Sequence, residues 1–167
     1  MEFKKVKTDK KIAAHYLDRA FGFPVRFENV PMVRIHGAWT PDINYNDVEE
    51  VLVLMLAIKP ARLTGGELKF VRLHFEMTLH QFANKFAISI EELTKCERDG
   101  AEPIDLNWPT EKDIRLHILA QKDVGPSVFV KAYESMETRK SARRRHVSID
   151  HNKIKGRRCR ELVSACL

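Results

Sequence analysis

Apolar and polar positions follow several rhythms along this chain, and each predicts a different element. Ile12, Ala13, Tyr16, Leu17 and Ala20 fall on one face at helical spacing, so a short helix is expected, closed by Gly22 and Pro24. Val25 and Phe27 then alternate with Arg26 and Glu28, and Val33 and Ile35 with Arg34 and His36. With Asn29-Val30-Pro31 between them, this predicts a β-ribbon of two short strands. Residues 39–45, with Pro41 and two Asn, read as loop. Asn46-Asp47-Val48-Glu49 opens a helix whose run VLVLMLAI is apolar almost all round and stops at Lys59-Pro60. Such a run fits either an ordinary core helix or a helix at a subunit interface.

Residues 64–103 carry the most specific pattern, three short amphipathic helices separated by tight turns. Thr78-Leu79-His80-Gln81 has the Thr-x-x-Gln form of a capping box, and Ser89-Ile90-Glu91-Glu92 has the Ser-x-x-Glu form. Leu79, Phe82, Ala83 and Phe86 share a face between these two starts. The link Ala87-Ile88-Ser89 allows only a sharp reversal. A helix, a three-residue turn and a second capped helix is helix-turn-helix geometry, whose second helix can enter the DNA major groove.

The segment resembles the lambda-repressor/Cro-like helix-turn-helix family. The resemblance rests on Met77-Thr78-Leu79-His80-Gln81-Phe82-Ala83, Ala87-Ile88-Ser89, Cys96-Glu97-Arg98-Asp99-Gly100 and Pro103. Leu79 stands where the family has a DNA-touching Gln, Ala87 where it has the turn Gly, and Cys96 where it has an aromatic; Asp99 lengthens the exit by one residue. A left-handed turn without glycine implies a strained backbone at Ala87. Further forward, Ile35-His36-Gly37 and Leu63-Thr64-Gly65 resemble antitoxin-type bacterial regulators with a zinc ribbon ahead of the DNA-binding half. The ribbon here holds no cysteine, so a four-cysteine zinc site is excluded.

After Pro103, Asn107-Trp108-Pro109-Thr110 leads into another helix, with Thr110 as cap, Glu111 and Asp113 favouring its N-terminal dipole, and Ile114, Ile118, Leu119 and Gln121 along one face. Val124-Gly125-Pro126 breaks it. Phe129, Ala132, Tyr133 and Met136 repeat at helical spacing from Ser127 onward. His146-Val147-Ser148-Ile149-Asp150 is compatible with one short strand, and the remainder from Arg139 reads as a flexible basic arm.

Charge changes the picture. Residues 1–60 carry nine Lys/Arg against eight Asp/Glu, residues 61–121 eight against ten, and residues 122–167 twelve against five. The net +6 therefore resides in the last third, and the DNA-reading segment is mildly acidic. Because nonspecific DNA affinity comes mainly from neutralised phosphates, dimerisation or the basic arm has to supply what the helix-turn-helix lacks.

Three cysteines without a C-x-x-C pair fit a reducing compartment, with Cys96 as a small core residue. No apolar run is long enough to span a bilayer and no apolar signal core is present, so no membrane partner and a cytoplasmic, nucleoid-associated location are expected. The seven histidines lack metal-ligand spacing, and nucleotide-binding and hydrolase motifs are missing; no enzyme activity, metal or cofactor is expected.

The expected fold is mainly α, a Cro/repressor-like helix-turn-helix bundle with a small N-terminal antiparallel β-ribbon. Its expected parts are an accessory and dimerisation segment (1–60), a DNA-binding domain (61–121), and a helix with a basic arm (122–167). Ser89, Ile90 and Glu91, with Thr94 and Lys95 one turn on, are the candidates for base contact. Thr78, His80, Lys95 and Arg98, with Arg62 and Thr64 ahead of the first helix, are candidates for phosphate contact, as are Arg143, Arg144 and Arg145 in the arm. Together these point to a homodimeric regulator on double-stranded DNA, in subtype an antitoxin-like autorepressor with a toxin-like protein partner. Glu91-Glu92 keeps a protein-interaction module open as the alternative.

Overall fold

The computed structural model describes residues 9–137, 146–154 and 161. Among these, four strands and seven helices run in the order β1 (Lys10–Asp18), β2 (Val25–Ile35), β3 (Ala38–Pro41), α1 (Tyr45–Ile58), α2 (Gly65–His74), α3 (Leu79–Lys85), α4 (Ile90–Arg98), α5 (Trp108–Gln121), α6 (Pro126–Glu137), β4 (Val147–Asp150) and α7 (His151–Ile154). Helix accounts for 51% of this and strand for 22%. The mainly α, Cro-like bundle is therefore corrected to an α+β fold in which three of the four strands precede the helices. Its sheet is mixed: β2 pairs antiparallel with β1 and β3, and β4 returns to pair parallel with β2.

The expected helix at residues 12–20 is strand β1, and the reason lies in its partner. In β2, the inward residues are Val25 and Phe27 before Asn29, but Val30 and Met32 after it. Asn29 adopts a left-handed φ of 55°, a conformation Asn tolerates better than most residues, and the inward parity switches there. β1 follows: Tyr16 opposes Phe27 and Ala13 opposes Val30, both turned to the core, whereas Ile12 and Leu17 face outward. A strand whose facing changes midway displays apolar residues at spacings that imitate a helix. The same kink carries β2 through Asn29-Val30-Pro31 as one strand, where two short strands were expected.

The segment expected as loop contributes β3. His36 and Gly37, at φ 48° and 85°, form a two-residue turn between Ile35 and Ala38, which pair with each other. Two left-handed residues in a two-residue hairpin loop match the right-handed twist of the strands.

Helix α1 starts two residues earlier than expected, because the Asn44 side chain accepts from the Asn46 N–H at 3.1 Å. Its apolar run is core: Leu52, Val53, Leu54, Leu56 and Ala57 are buried within the chain, where α1 packs on α5, α2 and β4. Helix α5 is capped by Asn107, which accepts from the Thr110 N–H at 2.9 Å, in place of the expected Thr110 cap.

Where α1 meets α5 the core is charged. Arg115 is fully buried and donates to the carbonyl oxygens of Leu56, Ala57, Lys59 and Ala61, the last two at 2.7 and 2.6 Å. Its guanidinium also meets Glu111 Oε1 at 2.7 Å, and Glu111 accepts from the Leu63 N–H at 2.9 Å. Arg115 thus satisfies carbonyls at the end of α1 that would otherwise be buried without donors. Lys59 meets both Glu67 oxygens at 2.6 Å, yet burial outweighs that attraction and lowers its ammonium below the usual lysine value.

Candidate helix-turn-helix surface

The α3–α4 pair forms because each helix carries its own start. Thr78 Oγ1 accepts from the Gln81 N–H at 3.2 Å, and Gln81 Oε1 accepts from the Thr78 N–H at 2.8 Å, a complete capping box. Ser89 Oγ accepts from the Glu92 N–H at 3.1 Å. Between the helices Ala87 sits at φ 50°, the left-handed backbone expected at the glycine position, and the Ile88 N–H closes onto Ala83 O at 2.9 Å. Phe82, Ala83, Phe86, Ile88, Leu93 and Cys96 are buried beneath the pair. Burial raises the Cys96 thiol, so it is a packed core residue and not an activated nucleophile.

Two contacts set the tilt of α4. Arg72 of α2 donates to Glu97 Oε1 and Oε2 at 2.7 and 2.8 Å and to Met77 O at 2.9 Å, joining α2, the α2–α3 turn and the end of α4. The hydrogen bonds to Glu97 raise the guanidinium above its ordinary value. Gly65 lets α2 approach α4 closely, since a Cβ there would stand 1.9 Å from the carbonyl oxygen of Cys96. The segment leaving α4 is strapped alongside by Gly66 N–H to Gly100 O at 2.8 Å and Ile104 N–H to Leu63 O at 2.9 Å.

On this frame Glu91, Thr94, Lys95 and Arg98 are all exposed on α4, and their spacing of i, i+3, i+4 and i+7 places them on one face. Ser89 is exposed at its start, and Thr78 and His80 are exposed on the adjoining helix. Ile90 departs from the set, being half-buried against the core. Two nominated residues are engaged elsewhere. Arg62 binds Glu111 and Leu106 O beside the Trp108 ring, and Thr64 caps α2 in a box with Glu67. Arg143, Arg144 and Arg145 lie outside the described residues. Asn84 and Lys85 are also exposed on α3, and the Lys85 charge acts on His117 of α5.

The face is electrically divided. Glu91 and Glu92 occupy the first turn of α4, Lys95 and Arg98 the last, an order that suits the helix dipole. The end that would lead into a groove is therefore the acidic one. Among the described residues, no group of three or more His, Cys, Asp or Glu is arranged to hold a metal ion, and no helix is long and apolar enough to cross a membrane. Comparison with family models, curated proteins and solved structures finds no match for this chain.

Proposed function

We propose that the chain is a sequence-specific DNA-binding regulator that reads bases with α4, and that the antitoxin-like autorepressor is its subtype. The observation that supports this best is the α3–α4 pair itself: two helices with separate caps, a left-handed turn at Ala87, and Glu91, Thr94, Lys95 and Arg98 on one exposed face. Polar side chains on the outer face of a helix that is anchored inward by Leu93 and Cys96 are suited to base edges and phosphates. Selection of preferred duplexes from a random library tests the reading. The wild type is expected to enrich one sequence, and Glu91→Ala with Thr94→Ala to change the preferred bases. Lys95→Ala is expected to weaken all duplexes about equally. No enrichment by the wild type overturns it.

A second reading takes the chain as a protein-interaction module, and the exposed Glu91-Glu92 pair favours it. Carboxylates at the leading end of α4 are repelled by phosphates but suit a basic partner surface. Binding that survives high salt and requires Glu91 and Glu92, with no duplex preference, would select this reading.

A further inference from the structure

We infer that the free edge of β1 is a self-association surface, on which a second copy of this chain adds its own β1 antiparallel. The inference rests on the sheet alone and not on the DNA-binding reading. β1 is nine residues long and, among the described residues, pairs on one side only, with β2. A long edge strand without proline is a template for another strand, and Lys10 and Lys11 guard only its first two positions. Its most exposed apolar residues are Ile12 at 73% and Leu17 at 51%.

The change of facing within β1 selects both the partner and the register. In antiparallel pairs, residues directly opposite share a face of the sheet. A regular strand meeting a copy of itself matches faces only when the paired residue numbers add to an even total. In β1, outward residues are Ile12 before Ala14 but His15 and Leu17 after it, so a pairing that joins the first half of one copy to the second half of the other matches faces only for odd totals. The total of 29 places Ile12 opposite Leu17 of the second copy on the outer face. It also places Ala13 opposite Tyr16 on the core side and Lys11 opposite Asp18. Within these eight residues no like charges oppose, and the two exposed apolar side chains cover each other. Lowering the total to 27 would set Ile12 against His15 and Leu17 against Lys10, leaving both apolar groups beside polar ones. Across both halves of β1 the edge is thus self-complementary at the total of 29, which is the signature of a two-fold partner.

Cysteine cross-linking of the full-length chain reads that register. Cysteines opposite each other in an antiparallel pair lie within disulfide reach, whereas Ile12 and its own copy would be five residues apart, about 17 Å. In a background with Cys159→Ser and Cys166→Ser, Ile12→Cys/Leu17→Cys is expected to form a covalent dimer on mild oxidation. Ile12→Cys alone and Leu17→Cys alone are expected to remain monomeric on a denaturing gel. Sedimentation of the unmodified chain without DNA is expected to show a dimer, and Leu17→Lys to weaken it by about tenfold or more. Both positions are exposed, so circular dichroism should stay native. A monomeric wild type at tens of micromolar, equal cross-linking by a single variant, or a dimer indifferent to Leu17→Lys overturns the inference. None of these outcomes bears on the duplex selection, which stands or falls separately.

Discussion

Arg72 and Glu97 are 25 residues apart in sequence and meet as a two-pronged pair, with both guanidinium–carboxylate bonds under 3 Å. Each side chain is only 9% exposed. The pair fixes the end of α4 against α2 and hence the direction in which Glu91, Thr94, Lys95 and Arg98 project. Removing either partner leaves the other charge poorly solvated. Arg72→Met and Glu97→Gln are each expected to cost about 3 kcal/mol, and denaturant unfolding of the two singles and the double should reveal a coupling of at least about 1 kcal/mol. Strict additivity would remove the pair from the frame.

Gly65 is expected to tolerate no side chain. Gly65→Ala drives a Cβ into the Cys96 carbonyl oxygen, 1.9 Å away, and backbone on both sides resists movement. A loss of about 3 kcal/mol is expected, read from the urea midpoint. A neutral effect would mean that α2 and α4 can separate freely.

Ala87 is expected to behave in the opposite way. Its φ of 50° costs an alanine about 1–2 kcal/mol, of which glycine's greater freedom when unfolded returns part. Ala87→Gly should therefore stabilise by about 1 kcal/mol, a rise of about 3 °C in melting temperature for a chain of this size. An unchanged or lowered melting temperature would refute strain at this turn.

Acid should destabilise the chain through two histidines that flank Phe75. Burial lowers both His74 and His117 from the ordinary 6.5, helped at His74 by Lys122 and at His117 by Lys85, and opposed by Glu50 and Asp113 respectively. The unfolded chain then takes up these protons first, so stability is retained above about pH 6.5 and lost as pH falls below it. Melting curves between pH 7.5 and 5.5 should show the loss, and His74→Leu/His117→Leu should flatten it. An equally steep curve in the double variant would assign the effect to other groups.

Arg115 is expected to be irreplaceable. Arg115→Met removes the guanidinium donors to the carbonyls of Leu56, Ala57, Lys59 and Ala61 and strips Glu111 of a counter-charge. A cost of about 4 kcal/mol or more is expected, measured by chemical unfolding. A loss under about 1 kcal/mol would show that water replaces the guanidinium.

The local order from residue 64 to residue 98 is determined by the sequence itself. Thr78 and Ser89 announce two helix starts through hydrogen bonds that span three residues, and the Thr78 box is made in full while Ser89 makes its own half; Thr64, nominated for phosphate, caps α2 in the same way. Interactions this short depend on neighbours along the chain and survive in almost any surroundings. The strand at residues 147–150 was legible as a strand, but its parallel place beside β2, across more than a hundred residues, was not. Tertiary structure alone decided three further matters. β1 is a strand because β2 offers it a ladder, and its helix-like apolar spacing is the trace of a facing change set by Asn29. The polar centre around Arg115 was hidden because a buried guanidinium looks like any surface arginine until four distant carbonyls converge on it. Arg62, nominated for phosphate, was taken by Glu111 for the same reason. Short-range hydrogen bonds can be read from adjacent letters, whereas strand pairing and charge burial depend on which distant groups the folded chain brings together.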